Sequence, residues 1–361
     1  MTTTKLLLAG IFFSTISYGQ KNIQYADSIL KTYTIPEISY AVISCNSILE
    51  IASVGHHSVD LKDSATLNDR FHIGSNTKAM TAFIIAKYVE SKKLSWDTKF
   101  FDLFPSWREN SNSAYAEITL QDLLSHRARI QPFRGQAIPH FKGCKPEKRV
   151  EFGRYVLTLD PVKADSINNY FYSNAGYTLA TLMLECVSGK NWEQLVSKVF
   201  NEDLKIDAQL SWPENQKNKG TWGHLTKNDT LVPVPSTTYY LLDYTEPAGD
   251  INITIAGYVK FVQLNLEGLK GKNNYLKSET YLFMHRGIAD YSIGWFNHCE
   301  NGNDFSIHPG TLGTYYTLVA IDRKNYVGYI IFTNSFNKAT VTGVGLLLKK
   351  LKANYAEMID G

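Results

Sequence analysis

Phe71-His72-Ile73-Gly74-Ser75-Asn76-Thr77-Lys78 is the stretch on which the reading turns. Gly74 permits a sharp turn, and an apolar helical pattern from Lys78 to Glu90, with Phe83, Ile84, Ala86 and Tyr88, follows it. The pattern predicts an amphipathic helix that begins at about Ser75. Residues three apart on a helix share a face, so Lys78 can reach the Ser75 hydroxyl. Backbone N–H groups at a helix start, together with the helix dipole, can also stabilise an oxyanion. A serine hydroxyl is a poor nucleophile until a base takes its proton. A lysine does so only when its pKa falls well below about 10.4, through burial or nearby positive charge. The spacing alone is weak: S-x-x-K occurs at Ser28/Lys31, Ser75/Lys78 and Ser335/Lys338. A plain N-cap serine beside a solvated lysine fits the local pattern equally well.

Outward from this point, strands are expected at both chain ends. Ser39 to Cys45 and Ile48 to Val54 flank Asn46-Ser47, and Thr314 to Ile321 and Tyr326 to Thr333 flank Asp322 to Asn325; each pair reads as a hairpin. Val341 to Met358 has apolar residues at helical spacing, and Thr119 to Ser125 and Tyr177 to Val187 also read as helices. The expected fold class is α/β in the α+β sense. One antiparallel sheet is built from both chain ends and flanked by helices, with a mostly helical region inserted. The sheet part covers about 20–75 and 250–361, and the helical part about 90–245. A cleft between the two is the natural place for a site.

Two further elements carry candidate chemistry. Tyr172-Ser173-Asn174 lies between β-prone Tyr170-Phe171 and a helical run. A tyrosine beside a cationic lysine loses its proton more readily, or relays one to a leaving group. Asn174 could orient Lys78 and donate to a substrate carbonyl. A buried aromatic turn with an Asn cap is the competing reading. Ser306-Ile307-His308-Pro309-Gly310-Thr311-Leu312-Gly313 leads into the strand at Thr314. There the Thr311 N–H would be a second oxyanion donor beside that of Ser75. Gly310 would let substrate approach the backbone. A glycine-rich turn before a strand explains the same residues.

The three elements in this order resemble the serine β-lactamase and penicillin-binding protein superfamily, in particular its class C β-lactamase-like branch. That branch includes D-alanyl-D-alanine carboxypeptidases, D-aminopeptidases and esterases. Lys93 to Asp97, Phe104-Pro105, Ile118 to His126, Pro247 to Asp250, Tyr291 to Trp295 and Phe332 to Asn334 are similar to the same branch, so the likeness spans about Ser39 to Asn334. The resemblance implies a serine acyl-hydrolase. Ser75 forms an acyl-enzyme, Lys78 and Tyr172 share the base and acid duties, and Asn174, His308, Gly310 and Thr311 serve substrate and oxyanion. Which of Lys78 and Tyr172 is the base stays open. The substrate would be a small molecule or short peptide, including cell-wall fragments: a D-amino-acid peptide, a small ester or a β-lactam. A non-catalytic protein on the same fold that binds cell-wall fragments is the alternative.

The chain departs from the branch in two places. His308 stands where efficient class C enzymes carry lysine, and a neutral imidazole weakens carboxylate recognition. Arg127-Ala128-Arg129-Ile130 replaces T-S-G-(L/I) after His126, and one of these arginines could restore a cation. Solvated loop arginines are the equal alternative.

Composition closes off other classes. The 361 residues are 44% hydrophobic and 13% aromatic, ample for a large core. The net charge is +3, from 37 basic and 34 acidic residues with no basic run, so no nucleic-acid partner is expected. The histidines His56, His57, His126, His140 and His308 show no metal-ligand spacing, and no nucleotide fingerprint occurs, so neither metal nor cofactor is expected. Cys45 and Cys186 lie in apolar runs and read as buried thiols; Cys144 and Cys299 suggest no pairing. Lys5, the apolar run Leu6 to Ile16 and Ser17-Tyr18-Gly19 read as a signal peptide over 1–19. The mature chain would then start near Gln20, carry no membrane span and be periplasmic or secreted.

Overall fold

A computed structural model describes residues 20–163, 170–214, 220–235, 242–300 and 302–356. The expected signal peptide and Met358 lie outside these residues, as do parts of the Trp212 to Gly249 connection.

The main sheet has six antiparallel strands in the order β2-β1-β11-β10-β9-β8. They are β1 (Glu37–Ser44), β2 (Ile48–Gly55), β8 (Phe296–Glu300), β9 (Asn303–Thr311), β10 (Tyr316–Asp322) and β11 (Val327–Thr333). Both expected hairpins form, and β1 pairs with β11 from Ile38↔Thr333 to Ser44↔Val327, which joins the two chain ends. Successive side chains on a strand point to opposite faces. Accordingly Tyr40 and Val42 enter one apolar cluster, while Ala41 and Ile43 enter another. The first cluster is closed by a helix at 20–32 (α1) and by the last helix, which contribute Ala26, Ile29, Val344, Leu347 and Leu351. Strands covered on both faces read as continuous apolar runs rather than alternating ones, which explains Tyr329-Ile330-Ile331-Phe332.

The second face carries the larger core. The helices after α1 are α2 (Thr77–Glu90), α3 (Phe100–Leu103), α4 (Leu120–Leu124), α5 (Lys145–Thr158), α6 (Asn174–Ser188), α7 (Trp192–Val196), α8 (Ile255–Leu269), α9 (Ser278–Arg286) and α10 (Lys338–Ala356). α2 is not amphipathic as read: every residue from Thr77 to Ala86 is buried. A helix buried all round belongs at the centre of a core, and α2 sits between the helical part and the sheet. Its Phe83 ring meets those of Phe200, Phe261, Tyr275 and Tyr281.

Short strands also fall in the span read as mostly helical. β4 (Gln209–Leu210) joins β3 (Arg70–His72) and β7 (Ile251–Thr254) in a small sheet, and β5 (Gly223–Lys227) pairs with β6 (Thr230–Val234). Tyr170 to Ser173 form no strand; they run extended into α6. All four cysteines are free, but two depart from expectation: Cys45 is only partly covered, and Cys186 lies on the exposed side of α6. Among the described residues no helix is long and apolar enough to cross a membrane.

Candidate active site

Ser75 lies in a single 3₁₀ turn, Gly74–Asn76, between β3 and α2. Gly74 has φ +49°, and a Cβ there would fall 2.3 Å from the Thr311 nitrogen. Only glycine fits both the conformation and the space. The end of β9 approaches in the same way, since a Cβ on Gly310 would fall 2.0 Å from the Ile73 carbonyl oxygen. The missing side chain of Gly310 thus seats β9 against the Ser75 turn, while the residue also lines the cavity described below. His308 to Thr311 are likewise part of β9 itself, with the turn to β10 coming after Thr311.

Side chains lock this junction. Asn76 donates to Thr317 Oγ1 at 2.8 Å, and Thr317 donates to the Ile73 carbonyl at 3.0 Å. The Thr311 hydroxyl donates to the Tyr315 carbonyl at 2.7 Å, which spends it on the β9–β10 turn and leaves its backbone amide beside Gly74. His72 is buried on the end of β3, stacked 5.0 Å from Trp212, as its position before the turn suggested.

Lys78 is fully buried one turn after Ser75. Its Nζ lies 3.2 Å from Ser75 Oγ, 2.8 Å from Asn174 Oδ1 and 2.8 Å from the Ala248 carbonyl oxygen. A neutral amine has two N–H donors and one lone pair. The Asn174 and Ala248 oxygens can only accept, so they take both hydrogens and leave the lone pair for the Ser75 O–H. Burial pushes the Lys78 pKa well below its ordinary value, and the Arg134 cation pushes the same way. The other two S-x-x-K pairs have ordinary surroundings: Lys31 pairs with Asp27 on the surface, and Ser335 is buried against Thr340.

Tyr172 and Asn174 straddle the start of α6. Ser173 caps that helix by accepting from the Gly176 N–H, donates its hydroxyl to the Gln131 carbonyl, and donates its own N–H to His126 Nδ1. These bonds aim Tyr172 and Asn174 at Lys78, whose Nζ is 4.6 Å from the Tyr172 ring centre. The sequence reading allowed either an acidified tyrosine or a proton relay, and the first is not what burial produces. Instead, burial raises the Tyr172 hydroxyl well above its usual pKa, and a hydrogen bond with Ser75 offsets only part of this.

His308 is buried at the cavity edge. Its Nδ1–H donates to the Pro309 carbonyl at 2.8 Å, so Nε2 is left to accept from the Tyr291 O–H at 3.0 Å. Burial, helped by Lys78, lowers its pKa to about 3, so the ring is neutral.

Ser75, Tyr172, Asn174, His308, Gly310 and Thr311 all line one cavity of about 830 Å³. Arg127 and Arg129 do not line it. Arg127 donates to the carbonyls of Ser125, Ala289 and Tyr291, and Arg129 to that of Val162. The arginine at the cavity is Arg134, which the sequence reading passed over, as it did the roles of His126, Tyr291 and Ala248. His126 and Tyr291 stand in segments noted for their likeness, but nothing local gave either a task. Among the described residues no group of three or more His, Cys, Asp or Glu side chains could hold a metal ion.

The family described as Beta-lactamase matches residues 23–351, beyond both ends of the likeness seen in the motifs. "Protein flp" of Staphylococcus aureus (strain NCTC 8325 / PS 47) is 23% identical over 306 residues, covering 83% of this chain and 60% of that protein. The chain thus spans about 60% of the length of that curated relative. Among solved structures, D-amino acid amidase from Ochrobactrum anthropi SV3, complexed with L-phenylalanine amide, superposes with a TM-score of 0.72 at 18% identity, covering 93% of this chain and 99% of that one. A class C beta-lactamase superposes with a TM-score of 0.72 at 18% identity, covering 92% and 96%. These likenesses agree with the fold described above.

Proposed function

This chain belongs to the beta-lactamase family, and from that premise we propose that it is a serine acyl-hydrolase working through an acyl-enzyme at Ser75. The observation that carries the reading is the buried Lys78 amine, 3.2 Å from Ser75 Oγ and supplied with two carbonyl acceptors. In the proposed reaction Ser75 Oγ attacks the acyl carbonyl and its proton passes to Lys78 Nζ. The carbonyl oxygen becomes an oxyanion, which the Ser75 and Thr311 backbone N–H groups stabilise. The leaving group departs with a proton from the Tyr172 hydroxyl, which burial keeps protonated at neutral pH and which Lys78 then replenishes. Water cleaves the ester by the reverse relay, and the acid product leaves.

The opposite pKa shifts favour Lys78 as the base and Tyr172 as the proton carrier. The substrate class we propose comprises D-amino-acid peptides, small esters or β-lactams, cell-wall fragments among them. The N-terminal pattern further supports export to the periplasm or exterior, which fractionation of cells producing the full chain would test. The reaction is tested with a fluorophosphonate or a fluorescent penicillin. Wild type is expected to be labelled and Ser75→Ala to stay unlabelled. A folded wild type that takes neither label would favour the non-catalytic binder instead.

A further inference from the structure

The wall of the Ser75 cavity is mostly apolar, with Phe133, Leu242, Phe296 and Leu312 among its residues. Among the described residues Arg134 is the one charged side chain on that wall once His308 is neutral. β9 therefore brings no cation to the site, and both His308 nitrogens are already engaged, with Pro309 and Tyr291.

The backbone that presents the exposed Arg134 to the cavity is held in place. Phe133 has φ +46°, a left-handed conformation that is costly for a bulky side chain. It is held there from both ends. The ring is buried 5.0 Å from that of Phe152, while the carbonyl accepts from Asn174 Nδ2 at 3.0 Å. The preceding carbonyl, of Pro132, accepts from the Asn174 N–H at 2.9 Å. Residue 174 thus fixes the loop with the same side chain whose oxygen holds Lys78. Arg134 follows directly, with its guanidinium carbon 5.9 Å from the Tyr172 ring centre and its backbone N–H donating to the Gln136 side-chain oxygen.

We propose that Arg134 is the anion-recognition residue of this site, so that preferred substrates pair an apolar body with a carboxylate directed at the 126–143 loop rather than at β9. The proposal rests on the acyl-hydrolase reading and deepens it. A guanidinium holds a carboxylate through two parallel N–H donors, which an ammonium cannot reproduce.

Steady-state kinetics on three esters would test this: p-nitrophenyl hexanoate, mono-p-nitrophenyl adipate and 3-carboxyphenyl hexanoate. The first is neutral, and the others carry a carboxylate on the acyl or the leaving side. The readout is the ratio of kcat/KM for each anionic ester to that for the neutral one, in which any misfolded fraction cancels. Arg134→Gln should lower at least one ratio about tenfold, mainly through KM, and Arg134→Lys should fall between the two. Salt at about 1 M should lower the wild-type ratio and leave that of Arg134→Gln unmoved. If Ser75 of wild type is labelled by fluorophosphonate but neither ratio depends on Arg134, the proposal alone is overturned. An unlabelled, inactive wild type overturns the hydrolase reading with it.

Discussion

Gly310 and Ile73, far apart in sequence, are in backbone contact: a Cβ on the glycine would fall 2.0 Å from the Ile73 carbonyl oxygen. That contact sets the spacing between the Ser75 and Thr311 amides. Gly310→Ala must push β9 away from the Ser75 turn, because the obstructing atom is backbone and cannot rotate aside. Acylation by fluorophosphonate should slow by at least about 10²-fold, the scale of losing one oxyanion donor. The melting temperature should fall as well. A near-normal labelling rate in a folded Gly310→Ala protein would remove Thr311 from the site.

The depressed Lys78 pKa has a kinetic signature. Acylation needs the neutral amine, so kcat/KM for a neutral ester should rise with pH. The apparent ionisation should sit well below the ordinary lysine value of 10.5. Removing the Arg134 charge removes part of the depression, so Arg134→Gln should move this rising limb to higher pH. Tyr172→Phe should slow the reaction and leave the limb in place. Lys78→Ala should cost at least about 10²-fold and abolish the limb. A limb that survives Lys78→Ala and vanishes in Tyr172→Phe would reverse the two assignments.

Ser75 and Lys78 were legible because their relation is local: residues three apart across one helical turn can be placed with no knowledge of the fold. Most of the sheet was legible too, since the β1–β2 and β10–β11 hairpins are short-range and their apolar runs mark strands. α2 was misread because its polar residues Thr77, Lys78 and Thr81 look solvent-facing in sequence. Each in fact finds a buried partner, in Ile251, Ala248 and Pro247 respectively. Tyr172, Asn174 and Thr311 could be assigned only through resemblance, because long-range contacts bring them to Lys78. The cation was sought at Arg127 or Arg129 and stands at Arg134. No pattern in the sequence announces the left-handed Phe133 that turns the chain toward the cavity.

His308→Lys would place an amine on β9, cationic wherever the cavity solvates it. With the carboxylate directed at Arg134, the anionic-to-neutral ratio of kcat/KM should change less than about threefold, whereas recognition at β9 would raise it about tenfold. His308 is within electrostatic reach of Lys78, so the added charge should also move the rising limb to lower pH. The substitution gives up the bond from Tyr291, so some stability should be lost, on the order of 1–3 kcal/mol for a buried hydroxyl without its acceptor. A tenfold rise in a folded His308→Lys protein would count against a carboxylate directed only at the 126–143 loop.

Glu246 opens the turn that offers the Ala248 carbonyl to Lys78. Its carboxylate is buried, without a hydrogen bond, and 3.4 Å from Arg149, which also binds Glu185 and Glu193. Desolvation raises its pKa from 4.5 to about 7, against the pull of Arg149. Between these values the folded protein holds a proton that the unfolded chain has released. Stability from this group is therefore complete below the lower value and is lost as pH rises through the upper one. Glu246→Gln has nothing to titrate, so chemical unfolding at pH 5 and pH 8 should give a smaller difference than in wild type. The change should be on the order of 3 kcal/mol at most, because one pKa unit is worth about 1.4 kcal/mol. An equal pH dependence in the two proteins would mean that Glu246 stays ionised, with Arg149 outweighing the cost of burial.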